Sequence, residues 1–441
     1  MFKVFYKYSA CIKICTDDIS ILCDPWFGQN AYDGTWGQFP KTKNVGDLVG
    51  DFDMVYISHI HPDHYCPETL NLLFKKFGKK KIIIANWGEG KPNYLERKIR
   101  SDDFGDLLII SNNEKINDTV INIIPNDTNS ISDIDTALIV SSERTGKAVL
   151  NINDCIYNQS HFNQILKLKN KLKIEFTLFC LGYTGAGPYP QSYYSPETEE
   201  KILIEKSNAK KNGFFERYKK SIQEIPSIKR LPFAGKYILK GDLSRLNKYR
   251  GVADALEVKN FDQDAIILDD GGDAFFDIEN ICASRERKEF YTYPETIKSQ
   301  KDYFWRTSLS FTPTKSLLKR LLFQSLKRAH SKSECTSNCL YSIYPYDDPK
   351  EINEIWSTNK PYEQTNPIIT FNCNKDCNPI KDIEECLIHS HIFIESKALF
   401  AVLSGITHWN NYEVGSVFQV RRVPDKYDEK MQTFLNFLSV I

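Results

Sequence analysis

The chain carries no surplus of either charge: 57 Lys and Arg stand against 57 Asp and Glu in 441 residues. A protein that holds nucleic acid by bulk charge needs a basic excess, so that class is excluded, and so is an acidic solvated tail. Long apolar runs are missing as well. None approaches the roughly 18 residues that a membrane span needs. The opening MFKVFYKYSACIKICTDD is interrupted by Lys3, Lys7 and Lys13, which reads against an export signal. Histidine is scarce, with eight in the chain, and no repeat or low-complexity tract is present. The 12 cysteines include several set singly in strand-like runs, among them Cys23, Cys155 and Cys180. That usage is expected of a reducing, cytoplasmic setting rather than a disulfide-stapled module. What remains is an ordinary globular composition, 41% hydrophobic and 26% charged, with length enough for two or three domains.

Short β-branched runs bounded by Asp, Asn, Gly or Pro fill the first half: DISILCDPW, DMVYISH, KKKIIIANW, TVINIIP, DTALIVSS, KAVLNIND and KIEFTLFCLG. Each predicts a strand buried on both faces. Between two of them, Pro67 to Phe77 places Leu70, Leu73 and Phe74 at helical spacing. The alternation predicts a layered α/β or α+β domain. From about Ser192 to Gln223 the pattern is helical and charged, and after the DDGGDAFFD turn the composition shifts to aromatic and basic. The expected division is therefore residues 1–275 and a smaller α+β unit over 276–441.

The chemistry concentrates in VYISHIHPDHY, where His59, His61, Asp63 and His64 follow an apolar strand and precede a helix. At a strand end, positions i and i+2 point the same way, so His59 and His61 can face one metal ion. The turn begun by Pro62 swings Asp63 and His64 toward a second ion. Nitrogen and oxygen donors of this kind suit zinc, iron or manganese, so one or two divalent ions are expected. Asp24 and Asp154 each end a strand-like run. Asp154 is read as a further ligand, and Asp24 as a residue that orients His59 or His61 from behind. Asp63, His64 and Asp154 are the expected catalytic groups.

Asp24, then SHIHPDH, then a strand ending in Asp154 resembles the metallo-β-lactamase superfamily, whose HxHxDH motif is matched in full. The segments DPWF, YISHIHPDHYCPETL, IDTALIVSSERTGKAVLNINDC and LPFAGKY narrow this. Over about residues 1–260 they are similar to the metallo-β-lactamase-like region of CMP-N-acetylneuraminate hydroxylase and its bacterial relatives acting on UDP-muramic acid derivatives. The resemblance implies an αββα sandwich, of α+β class, and a sugar or sugar-nucleotide substrate in surface-glycan biosynthesis. Two departures stand out. No histidine stands two residues after a cysteine, so the C-x-H half of the family's Rieske pattern is absent, and any oxygen chemistry would draw electrons from a separate protein. The family's further histidines, before the IDT strand and after PFAG, are absent too. Asp133 or Asp127 and Asp242 can substitute with oxygen ligands, favouring iron or manganese over zinc, and His161 is another potential donor.

The loop CLGYTGAGPYPQSYY combines Gly185 with Tyr183 and Tyr189, a suitable lining for a sugar or nucleotide, and Trp26 and Trp36 are expected to form a second wall. Cys335, Cys339, Cys373 and Cys377 form two C-x-x-x-C pairs that structural zinc would fit, against free thiols. His389 and His391 alternate along a probable strand and read as structural. The stretch 314–330 has a leucine face and a basic face. Core packing is the expected use, against an anionic membrane surface. The C-terminal unit is expected to shape the active-site mouth or a dimer contact.

Three functions follow in order. The first is a metal-dependent hydrolase of an amino sugar or sugar nucleotide. The second is an iron oxygenase of an N-acyl sugar with a separate electron donor, and the third a non-catalytic binding protein with a degenerate site.

Overall fold

The β-branched runs become strands because each is sandwiched between layers that cover both its faces. The structure is a computed structural model that describes residues 1–28, 31–41, 44–104, 106–111, 113–294, 302–333, 337, 339–372 and 388–440. Its first sheet has eight strands in the order Cys282–Ala283, Phe275–Asp277, Lys3–Tyr8, Cys11–Cys15, Ser20–Cys23, Met54–Tyr56, Lys81–Ala85 and Leu107–Ile110. The second has six: Lys229–Phe233, Glu175–Gly182, Lys147–Asn151, Thr136–Ser142, Thr119–Pro125 and Asn113–Ile116. Val4, Ile14, Tyr56 and Ile83 of the first sheet meet Ile121, Leu138, Leu178 and Leu231 of the second.

Helices close both outer faces. Pro67–Phe77 and Tyr94–Ser101 press Leu70, Leu73, Leu95 and Ile99 onto Leu22, Val55 and Ile82. On the far side Gln159–Leu172 and Glu200–Glu224 set Phe162, Ile165 and Tyr218 on Ile139, Leu150 and Phe176. The layer order is therefore αββα, as the resemblance implied. Pro67 occupies the first helical position, where a missing N–H costs nothing, and Lys75 and Lys76 face the negative helix end. The later charged helix starts at Glu200 rather than Ser192, because the chain before it is taken up in turns, Ser192 N bonding the Pro188 carbonyl and Glu199 N the Ser195 carbonyl, each at 2.8 Å.

Phe275–Asp277 pairs with Lys3–Phe5, so the first sheet runs past the division expected at 275/276 and ends at Ala283. The second unit carries a four-stranded sheet, ordered Ile369–Phe371, Leu340–Tyr346, His389–Glu395, Gln419–Val423. Helix Lys315–Ser333 buries Leu318, Leu322 and Leu326 with Ile343, Ile394 and Leu399, so its leucines serve the core and not a membrane surface. Among the described residues no helix is long and apolar enough to cross a membrane. His389 and His391 bond Ser342 and Tyr344, each at 2.9 Å. Cys335, Cys373 and Cys377 lie outside the described residues.

The two units are tied by polar contacts. The Arg421 guanidinium donates to both Glu199 oxygens at 2.8 and 2.7 Å, and Gln191 Nε2 donates to Ser416 at 3.0 Å. Bidentate pairs of this kind fix orientation as well as distance. Nearby, Glu413 lies buried on helix Trp409–Val414 with the Gln432 amide donating to it. Burial pushes its carboxyl up to about 7, against the pull of Gln432 and Arg422.

The unfolded chain releases this proton near pH 4.5 and the folded protein near 7, so stability falls as pH rises between those values and the loss is complete above them. Glu413→Gln is expected to show a shallower decline over that window in denaturant unfolding. Identical slopes for the two proteins would contradict the assignment.

Candidate metal centre

Three strand ends converge on one side of the sandwich. Strand Ser20–Cys23 delivers Asp24, the turn after Met54–Tyr56 delivers residues 58–64, and the turn after Lys147–Asn151 delivers Asp154. Backbone bonds from His64 N and Tyr65 N to the His61 carbonyl, at 2.9 and 2.8 Å, wind the His-rich segment into a tight turn. All four of its side chains then face one small space.

His64 is the hub. Its Nε2 lies 3.2 Å from Asp154 Oδ1 and 3.6 Å from Asp63 Oδ2, and its Nδ1 lies 3.2 Å from Asp24 Oδ2. Burial opposes charge on this ring, yet Asp154, Asp63 and Asp24 together hold its proton affinity well above the ordinary value. His59 stacks 4.0 Å from it, centroid to centroid, and His59 Nε2 is 2.8 Å from His61 Nδ1. Burial, with the neighbouring imidazoles, keeps His59 neutral, and burial lowers His61 as well. Asp63 is raised by burial and accepts a 2.7 Å hydrogen bond from the Tyr32 hydroxyl.

His59, His64 and Asp154 each offer one donor atom, and these lie within 4.8 Å of one another. A second such group is His59, Asp135 and Cys155. There burial and the carboxylates of Asp135 and Asp154 push the Cys155 thiol up, whereas a metal ligand must be a thiolate. The first group is the better donor set. It also fits a cation on two independent grounds. Asp154 Oδ1 is buried without a well-formed hydrogen bond, and three carboxylates are gathered around one imidazole where isolated charge is costly. With Nδ1 facing Asp24, the His64 ring is held as metal-ligating histidines are, its far nitrogen free for the ion.

Other expected ligands lie elsewhere. Asp133 accepts from Thr128 N at 2.7 Å and Ser130 N at 3.1 Å, closing its own loop. Asp242 pairs with Arg306 at 2.8 Å, and Asp127 pairs with Lys91. His161 is fully engaged, Nδ1 with Asn158 and Nε2 with the Pro125 carbonyl at 3.1 Å. Asp24 meets His64, not His59 or His61. It takes a left-handed backbone, φ 43°, that lets its other oxygen accept from Ser58 N at 2.7 Å.

The expected substrate walls are corrected too. Trp26 and Trp36 are buried core rings, Trp36 stacked 3.5 Å from Tyr237. Tyr183 is buried against Gly235, a Cβ on Gly185 would enter the Phe214 ring, and the Tyr189 hydroxyl donates to Asp425 at 2.8 Å. Sequence reasoning missed Tyr32, Ser58, Asp135 and Cys155. Asp135 stands directly before the strand Thr136–Ser142, at a strand start, whereas Asp24 and Asp154 each follow a strand. Gly182 matters here as well: a Cβ would come within 2.9 Å of the Asp154 backbone, so glycine lets the neighbouring strand end lie against the ligand turn.

Residues 3–135 match the sequence profile of the Beta-lactamase superfamily domain. Over 240 residues the chain is 26% identical to cytidine monophosphate-N-acetylneuraminic acid hydroxylase of Danio rerio, covering 52% of this chain and 37% of that one. Over 58 residues it is 45% identical to a putative Rieske 2Fe-2S iron-sulfur protein of Mycolicibacterium smegmatis, 13% of this chain and 11% of that one. The chain spans well under half the length of these curated relatives. Among solved structures, the diiron β-hydroxylase CmlA from Streptomyces venezuelae superposes with a TM-score of 0.39 at 12% identity, covering 61% of this chain and 52% of that one.

Asp24→Asn keeps the shape of the side chain and removes its charge from behind His64. It is expected to weaken metal binding by about 10- to 100-fold, read by competition with a chelator. Unchanged affinity would contradict the orienting role.

Proposed function

We propose that this chain is the metal-bearing catalytic part of an oxygen-dependent hydroxylase of a small N-acylated molecule, with electrons supplied by a separate protein. The observation that carries the reading is the donor set: two imidazoles, His59 and His64, and one carboxylate, Asp154, within 4.8 Å, with His61 and Asp63 beside them. Two histidines and a carboxylate leaving open positions are the pattern of non-haem iron oxygenases. Iron bound there would supply oxygen activation. Overall, a C–H bond and dioxygen, with two electrons and two protons, give an alcohol and water.

The protein's own groups do the positioning. Asp24 and Ser58 fix the His64 ring, Ser58 Oγ also reaching His59 Nδ1 at 2.9 Å. Tyr32 holds one Asp63 oxygen and leaves the other facing the same space as His64 Nε2, where it can give or take a proton at a bound group. The zebrafish relative, named as a hydroxylase of an N-acetylated sugar nucleotide, supports the reading. The relative named as a putative Rieske 2Fe-2S iron-sulfur protein supports a redox partner as the electron source.

The test is the metal content of protein purified anaerobically without added metal, followed by its visible spectrum. Stoichiometric iron is expected, with absorption that bleaches on reduction and returns with oxygen, and both lost in Asp154→Ala. Zinc with no oxygen response would assign hydrolysis by metal-activated water instead. Protein that takes up no metal would leave a binding function.

A further inference from the structure

A cavity of about 430 Å³ opens beside His61, within the size range of small-molecule sites. Its floor is the His-rich turn, through Ile60, His61 and Tyr65, and its far wall comes from the C-terminal unit, through His408, Asn410 and Phe437. The Asn410 side chain hydrogen-bonds the His61 ring, so the second unit reaches the metal centre itself. Resting on the reading of that centre as catalytic, we propose that this cavity is the substrate pocket and that it takes an uncharged, largely apolar molecule.

The walls carry the argument. Ile60, Tyr65, Tyr94, Ile131, Ile134 and Phe437 make most of the surface apolar. A phosphate or sugar acid taken out of water needs cations to meet it. Lys98 is the one lysine or arginine among the described lining residues, and its amine pairs with Asp102 at 2.7 Å. His408 adds no charge: burial holds it down to about 4, and its Nδ1 accepts from Asn410 N at 3.2 Å. No described lining residue is acidic, so the pocket does not select a cation either. Arg217 and Lys220 line, with Asp154, a separate space of about 60 Å³, too small for a nucleotide.

The experiment is saturation-transfer NMR on the full chain, with acetanilide and N-acetyl-L-tryptophanamide as neutral amide probes and UMP and UDP-N-acetylglucosamine as anionic ones. Ile134→Asp charges the wall, Ser132→Trp fills the cavity without charge, and circular dichroism confirms that each variant is folded. Both amides are expected to bind wild type and to lose at least about tenfold in affinity in each variant, as burial of an unpaired charge or loss of the space demands. Failure of the amides to bind, binding unaffected by both cavity variants, or displacement of the amides by the uridine nucleotides would overturn the proposal. Metal content is read on the same samples. Amide binding without iron upholds the pocket and removes the hydroxylase reading; iron without amide binding removes the pocket alone.

Discussion

One imidazole surrounded by carboxylates organises this molecule. His64 is buried, and Asp24, Asp63 and Asp154 reach it from three directions. Carboxylates left unpaired in a protein interior cost more than any single contact returns, so the arrangement is stable only with compensating positive charge. A proton on His64 supplies some of it, and a divalent ion bound between His64, His59 and Asp154 would supply more. The same electrostatic need explains why one oxygen of Asp63 is tied to Tyr32 and one of Asp24 to the Ser58 amide.

The fold makes that concentration of charge possible by bringing distant strand ends together. Asp24, the 58–64 turn and Asp154 come from two different sheets, and the packing of Val4, Tyr56, Leu138 and Leu178 between the sheets sets the distance between them. Gly182 allows the last close approach. The second unit is more than an appendage in this account. Its residues 408–411 and 436–437 close the space above His61, and the Arg421–Glu199 pair holds it in register.

What could be read from the sequence was local. The HxHxDH spacing is contained in a single turn, and Asp154 announces itself as an acid at the end of an apolar run, so both were legible. The helix Pro67–Phe77 was legible to its ends for the same reason. That Asp133 would turn away from the site was not, because its carboxylate engages Thr128 and Ser130 within its own loop. Trp26 and Trp36 looked like a ligand wall and are core, since nothing local reveals that Tyr237 will stack on Trp36. Tyr32 carries no signal at all: a left-handed backbone, φ 50°, brings it to Asp63. The cavity depends on contacts between segments more than 300 residues apart and is a property of the folded chain alone.

The central claim is that His59, His64 and Asp154 hold one metal ion. Anomalous diffraction at the iron edge, from crystals of anaerobically iron-loaded protein, tests it most directly. The account predicts a peak within bonding distance of the two imidazoles and the Asp154 carboxylate, with Asp24 still against His64 Nδ1. A peak elsewhere in the molecule, or none while the chain binds iron in solution, would contradict it.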